Sequence, residues 1–350
     1  MEWDKLLLHY FSKLGLALSK NFALYTTGAL SACSSSTQQI ARYISQRTAK
    51  PFNTSDKGLA YLLCNQRFQI DDRFWRMHIG MVFSLVQEQQ LFSPGDKIPI
   101  QVDFTSNKNH FLILSASIIV GNRAVPIYFT MRNYPKRKAS YDHKKMELAF
   151  LKGLKHALSK RFSYIIIADR GFGNARFTQA CQATGLDYIV RIQPHMHAEF
   201  RGQKGILADL FKKDAGQNFH LGPWDGPVQV CRHTHEGTKW YLVSNINDMS
   251  SEQYVCHYRN RFKIEKCFQD LKSSGFDLES SKIRKYDRYK KLLAICIVAH
   301  TLLVIAGYII REKMPQLLKN SPFCANVHSV FFLSENMPSF IRNLLQSKLS

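Results

Sequence analysis

The chain has 350 residues, with 48 Lys and Arg against 26 Asp and Glu for a formal charge of +22, and 45% of it is hydrophobic. That apolar content excludes a disordered basic tail, and the basic excess selects an anionic partner. Nucleic acid, which releases condensed counterions when a basic surface binds it, is the leading class, and an anionic membrane surface is the competitor. The length admits one large domain or two to three smaller ones. Acids at Glu2 and Asp4 stand where a signal peptide carries basic residues, so secretion is not expected. The eight cysteines form no CxxC pair and read as reduced thiols of a cytosolic protein.

Residues 1 to about 95 are predicted to be helical, with Leu7, Phe11, Leu14 and Leu18 at helical spacing and Ser34 to Thr37 opening a further helix. This region is a candidate for DNA-end binding or a small helical packing domain. Ser93-Pro94-Gly95-Asp96 marks a turn, after which Ile98 to Val102 reads as a buried strand leading into Asp103. Phe111 to Val120 and Ala124 to Met131 form a hairpin about Gly121-Asn122-Arg123, and Met146 to Leu158 is an amphipathic helix. Tyr164 to Ala168 is a buried strand ending at Asp169, Asn174 to Thr184 a helix, and Asp187 to Ile192 another strand. The order βββαβαβ is that of an α/β, ribonuclease H-like core.

From Pro194 to Lys239 short alternating runs predict a β-rich insertion. Trp240 to Asn245 returns to a strand, and Ser250 to Ser273 reads as one long helix capped by serine and stopped at Gly275. Leu292 to Ile310 is nearly all apolar and long enough to span a bilayer. His300 and Thr301 in its middle favour a core helix buried on every side. The expected boundaries are 1–95 for the helical N-terminal region, 96–193 and 240–280 for the two parts of the core, 194–239 for the insertion, and 281–350 for a helical C-terminal region.

Asp103 and Asp169 each follow an apolar strand, and strand ends are where α/β sheets present functional groups. Glu252, Glu265 or Asp270 could supply a third carboxylate. Tyr258, Arg261, Glu265 and Lys272 fall within one helical stripe, an arrangement that a solvated face with an Arg261–Glu265 pair would also produce. Cys231, His233 and His235, with His195 and His197, have strand-face spacing that could bind zinc but lack a second ligand motif. Gly171-Phe172-Gly173 lacks the third glycine of a dinucleotide fingerprint. Two basic runs, Arg132 to Lys145 and Lys282 to Lys291, are interleaved with tyrosines 134, 141, 286 and 289 and suit backbone tracking.

Tyr258-x2-Arg261-x3-Glu265-x6-Lys272 matches the YREK signature at every spacing, and Val102-Asp103-Phe104-Thr105 and Ala168-Asp169-Arg170-Gly171 look like first and second aspartate motifs in the right order. Over about residues 95 to 280 the chain thus resembles bacterial insertion-sequence DDE transposases of the YREK-signature family (insertion sequence family four type). The resemblance implies a catalytic triad of Asp103, Asp169 and Glu265 holding two Mg²⁺ ions, with Mn²⁺ as a substitute. It implies cut-and-paste transposition: cleavage at transposon ends, then joining to target DNA. Tyr258, Arg261 and Lys272 would bind DNA phosphates, and Trp240, whose place at a strand start core packing would explain equally, would stack on a flipped base. The implied partners are double-stranded DNA with terminal inverted repeats, target DNA and a second copy of the chain on DNA, with residues from about 285 a candidate dimer interface and no membrane. The implied location is cytoplasmic, at the nucleoid. The rival readings are a catalytically inactive DNA-binding relic and a basic membrane-associated protein.

Overall fold

The structure is a computed structural model that describes residues 2–87, 95–108, 110–134, 143–211, 216–224 and 226–313. Ser93 and Pro94 of the expected turn, residues 135–142 of the first basic run and residues 314–350 of the C-terminal region lie outside the described residues.

Five helices come first: α1 (Glu2–Tyr10), α2 (Leu16–Ala32), α3 (Thr37–Thr48), α4 (Phe52–Cys64) and α5 (Asp72–Gln87). Polar side chains start two of them, Ser36 Oγ accepting from the Gln39 N–H and Asp71 Oδ1 from the Phe74 N–H. Phe11, Phe22, Phe68 and Phe74 meet in a ring cluster with centroid separations of 4.6 to 6.2 Å. Trp75 then carries α5 onto the sheet, 5.5 Å from the ring of Tyr128 and 5.0 Å from that of Phe129. The helical region therefore shares one continuous hydrophobic core with the sheet.

The sheet begins with β1 (Lys97–Asn107), β2 (Phe111–Val120) and β3 (Arg123–Asn133), followed by α6 (His143–Ala157), β4 (Ser163–Ala168), α7 (Ala175–Ala183) and β5 (Asp187–Arg191). The β2–β3 hairpin turns through Gly121, whose φ of 58° suits glycine. Next come β6 (His197–Phe200), β7 (Gln203–Ile206), the short α8 (Leu207–Leu210), β8 (Gly216–Leu221), β9 (Pro227–His235) and β10 (Thr238–Ser244). All ten strands among the described residues lie in one sheet of order β3-β2-β1-β4-β5-β10-β9-β8-β6-β7. β1, β4 and β5 are mutually parallel, and the other pairings are antiparallel. This mixed α/β sheet with flanking helices is consistent with a ribonuclease H-like domain. The strands β6 to β9 extend the sheet beyond β10.

Strand periodicity explains the unbroken apolar run of β4. Ile165 and Ile167 face one hydrophobic cluster with Ile189, Trp240, Leu242 and Tyr258, while Ile166 and Ala168 face the main core. The first cluster is covered by α9 (Ser251–Arg259), which a capping box between Ser250 and Gln253 starts.

Two expectations are corrected. β1 does not end at Asp103 but continues to Asn107, because β2 pairs with it as far as Asn107 opposite Phe111. The long helix over 250–273 is two helices, α9 and α10 (Lys263–Lys272), separated by a 3-10 turn at Asn260–Phe262. The last described helix, α11 (Tyr286–Lys313), packs against α2, α4 and β3. Within Tyr286–Ile309, 94% of its most apolar window is buried, so its apolar sides are covered from within the fold. Its central His300 lies 3.7 Å from Asp270 Oδ2, which also accepts from Arg123 Nη1 at 3.0 Å. Over that window α11 is covered from within the fold, and residues 314–350 of the region expected to form a dimer interface lie outside the described residues.

Candidate active site

The parallel pairing of β1 with β4 ends at Val102 opposite Ala168, so the next residue on each strand is an aspartate. Asp103 and Asp169 stand side by side at the rim, on the face covered by α9 and α10. The chain just beyond them is locked by stacking of Phe104 on Phe172, with centroids 5.3 Å apart and planes 5° from parallel. Asp169 Oδ1 accepts from the Gly171 N–H at 2.8 Å, and Asp103 Oδ1 from the Phe104 N–H at 2.8 Å.

The 3-10 turn between α9 and α10 crosses over β1 and lowers Arg261 onto this rim. Arg261 Nη1 donates to Asp103 Oδ2 at 3.0 Å and Nη2 donates to Glu265 Oε1 at 3.0 Å. Of the three acids offered by the helix, Glu265 is the one brought to Asp103. Asp270 is buried in its pair with Arg123, and Glu252 lies at the first turn of α9. Burial pushes the Asp103 carboxyl up to about 6; Arg261 pulls against that shift, while Asp169 and Glu265 add to it. Burial also works against the charge of Arg261, but Tyr258, Asp103, Glu265 and Asp169 more than offset it, so its pKa lies above the ordinary value.

The remaining expected residues fall in different places. Lys272 Nζ reaches Thr105 Oγ1 at 3.5 Å and Glu279 Oε1 at 3.3 Å, beside the rim and partly exposed. Tyr258 is 1% exposed and its hydroxyl bonds to Arg191, so in this conformation it packs beneath Arg261 and does not face a phosphate. Trp240 is 3% exposed, between His235 (4.7 Å) and Tyr258 (5.0 Å). It offers no free face to a base, because its strand position points it into the cluster under α9. The exposed ring is Phe262, 41% accessible and 4.5 Å below the guanidinium carbon of Arg261. Phe262, Arg191 and the Phe104–Phe172 stack have no signal in the sequence, since Phe104 follows its aspartate by one residue and Phe172 by three.

His233 and His235 pack on Trp240, and the Cys231 thiol donates to the Ser251 carbonyl at 3.9 Å. Among the described residues no three His, Cys, Asp or Glu side chains converge in a metal-holding group. At the rim this reflects Arg261, which stands between Asp103 and Glu265. The donor set nevertheless fits a hard divalent cation: the Asp103 carboxyl, whose pKa burial and then the Asp169 and Glu265 carboxylates raise, with the Gln101 amide buried and unpaired two residues earlier on the same strand face. The second basic run is partly structural. Lys291 Nζ donates to the carbonyls of Leu63 (3.3 Å) and Asn65 (2.8 Å) at the end of α4, and Tyr289 stacks on Phe111 at 4.6 Å.

Two aspartates at the ends of neighbouring parallel strands, with a glutamate held beside them in a chain of charge +22, suit chemistry on an anionic substrate. Residues 129–302 match the family model described as "Transposase DDE domain". The match runs from β3 into α11; it includes Asp169, Trp240, Tyr258, Arg261, Glu265 and Lys272, and begins after Asp103. It supports a DDE transposase, an enzyme of the nuclease and transposase kind with DNA as its partner, and such enzymes generally use divalent metals. A search of curated proteins finds no match to the chain.

Proposed function

We propose that the chain is a cut-and-paste transposase of the YREK type, cleaving DNA at the inverted repeats of a transposon in the cytoplasm and joining the ends to target DNA. Asp103, Asp169 and Glu265 would hold two divalent ions, Mg²⁺ or Mn²⁺. Bound there, the ions would supply an activated water or 3′-hydroxyl and charge neutralisation at the departing oxygen. What carries the reading is the register of β1 on β4, which makes Asp103 and Asp169 neighbours directly under Arg261 and Glu265.

The chain's own residues divide the remaining work. Arg261 neutralises Asp103 and Glu265 before substrate arrives, and its fork of donors suits a phosphate equally well. Lys272, beside Thr105, is the cation placed to meet the backbone flanking the cleaved bond. Tyr258 supports Arg261 from below, and the Phe104–Phe172 stack keeps the two aspartates in register. Glu265→Gln, assayed in Mg²⁺ with inverted-repeat DNA, is expected to abolish cleavage and leave binding intact. Persistent cleavage by this variant would refute the assignment.

A further inference from the structure

At the end of the sheet opposite the aspartates, α5, the end of α6 and the loop entering β4 enclose an open cavity of about 1170 Å³. Its rim carries Arg76, Lys152, Lys155, His156, Lys160 and Arg161, and no Asp or Glu lines it. Some of this charge has local uses. Lys155 Nζ donates to the Gly185 carbonyl at 3.0 Å, Arg76 Nε donates to the His156 carbonyl at 3.1 Å, and His156 Nδ1 lies 2.7 Å from Asp72. Lys155 and His156 also sit in the last turn of α6, where the helix dipole favours cations. Lys160 and Arg161 lie beyond that helix, exposed, and along with Lys152 they pair with no carboxylate among the described residues.

The loop bearing them is held in place. Phe162 stacks on Phe83 with centroids 5.4 Å apart, the Arg161 N–H donates to Ser159 Oγ at 3.2 Å, and the Tyr164 hydroxyl donates to the Ser159 carbonyl at 2.9 Å. A site for a small anion would have buried donors converging on one point. Here the rim cations are exposed heads on long stems, spread around a broad opening, which suits a polyanion whose charges are spread in the same way.

From Arg161 to Asp169 the chain runs the length of β4, eight residues or about 26 Å. No single phosphate reaches both. We propose that this cavity binds the phosphate backbone of duplex DNA away from the reacting phosphodiester, as a second contact surface. The inference rests on the DNA-binding side of the reading above but not on its chemistry.

The test measures binding of the full chain to a duplex of about 40 base pairs of arbitrary sequence over a range of salt. Lys160→Glu/Arg161→Glu is expected to bind at least tenfold more weakly at low salt and to lose about two from the slope of log K against log salt. Its melting temperature is expected to be unchanged, since neither side chain makes a bond among the described residues. A matched reversal, Arg201→Glu/Lys204→Glu on the exposed β6–β7 hairpin, is expected to cost less than twofold. Wild-type affinity and slope in the first variant, or an equal loss in the second, overturns the proposal. With shortened duplexes, a loss confined to the longer ones puts both contacts on one DNA molecule; loss of a second equivalent at saturation puts them on two. Cleavage by Glu265→Gln would overturn the catalytic reading and leave this result standing.

Discussion

The guanidinium of Arg261 and the carboxylate of Asp103 form a buried ion pair at 3.0 Å, with side-chain exposures of 7% and 18%. The same guanidinium holds Glu265, so one cation neutralises two of the three carboxylates proposed to bind metal. A divalent ion and Arg261 are thus alternatives for the same oxygens. Arg261→Ala removes the compensating charge and is expected to cost on the order of 3 kcal/mol without divalent ions. Mg²⁺ or Mn²⁺ is then expected to raise the melting temperature of the variant more than that of the wild type. Thermal denaturation across a metal titration measures this, and a decrement that stays constant at every metal concentration would refute the competition.

Asp103 makes a pH-dependent contribution whose sign follows from its upward shift to about 6. The unfolded carboxyl titrates near 3.9, so between about pH 4 and pH 6 the folded state holds more protons and loses stability as pH rises. Asp103→Asn mimics the protonated form. It is expected to be more stable than the wild type by roughly 3 kcal/mol at pH 7.5, equal to it near pH 4, and inactive in cleavage. Denaturant unfolding at the two pH values checks this; a variant less stable at pH 7.5 would mean that the pair with Arg261 outweighs the burial of the charge.

These two residues also mark what sequence can reveal. The strands were legible because β1 and β4 alternate between two buried faces, leaving long apolar runs that stop at a charge. The break in the helix was not legible. Asn260–Phe262 contains neither Pro nor Gly, and three residues wound at about 120° instead of 100° shift the phase by only about 60°. That shift is enough to split the expected stripe, sending Tyr258 into the core and Arg261 onto Asp103, with Glu265 half-exposed beside them. Trp240 could have been assigned to the interior, since it alternates with Tyr241 and shares a face with Leu242. The basic cavity was legible only in part: Lys152 to Arg161 form a basic run in the sequence, but the packing of α5, with Arg76, against its side did not follow from it.

Gly173 follows the turn that carries Asp169, and a Cβ there would lie 2.4 Å from the Arg191 carbonyl oxygen and 3.2 Å from the Ile192 Cα. Both are backbone atoms of a central strand and its continuation, so the turn would have to move instead. Gly173→Ala is expected to displace Asp169 and lower cleavage at least tenfold, with a stability loss of about 2 kcal/mol. Gly80→Ala, on an exposed helical site with no atom within 4 Å, is the comparison and should be neutral or mildly stabilising. Full activity in Gly173→Ala would show that the position of this turn is immaterial.

The aromatic side chains near the rim separate into a buried one and an exposed one, and they should fail in different ways. Trp240 fills the cluster beneath α9, so Trp240→Ala is expected to cost about 3 to 5 kcal/mol, and Trp240→Phe less. Phe262 lies over Trp240 at 6.0 Å with its outer face in solvent, next to Arg261. A base unstacked at the reacting end would find Phe262, and base–aromatic stacking contributes about 1 to 3 kcal/mol. Phe262→Ala is therefore expected to weaken binding of a duplex with an unpaired terminal nucleotide about tenfold, with little change in melting temperature and none in affinity for the blunt duplex. Trp240→Phe is expected to bind both duplexes as the wild type does. The opposite pattern, with selective loss in Trp240→Phe and none in Phe262→Ala, would require the cluster under α9 to open on DNA and would return the stacking role to Trp240.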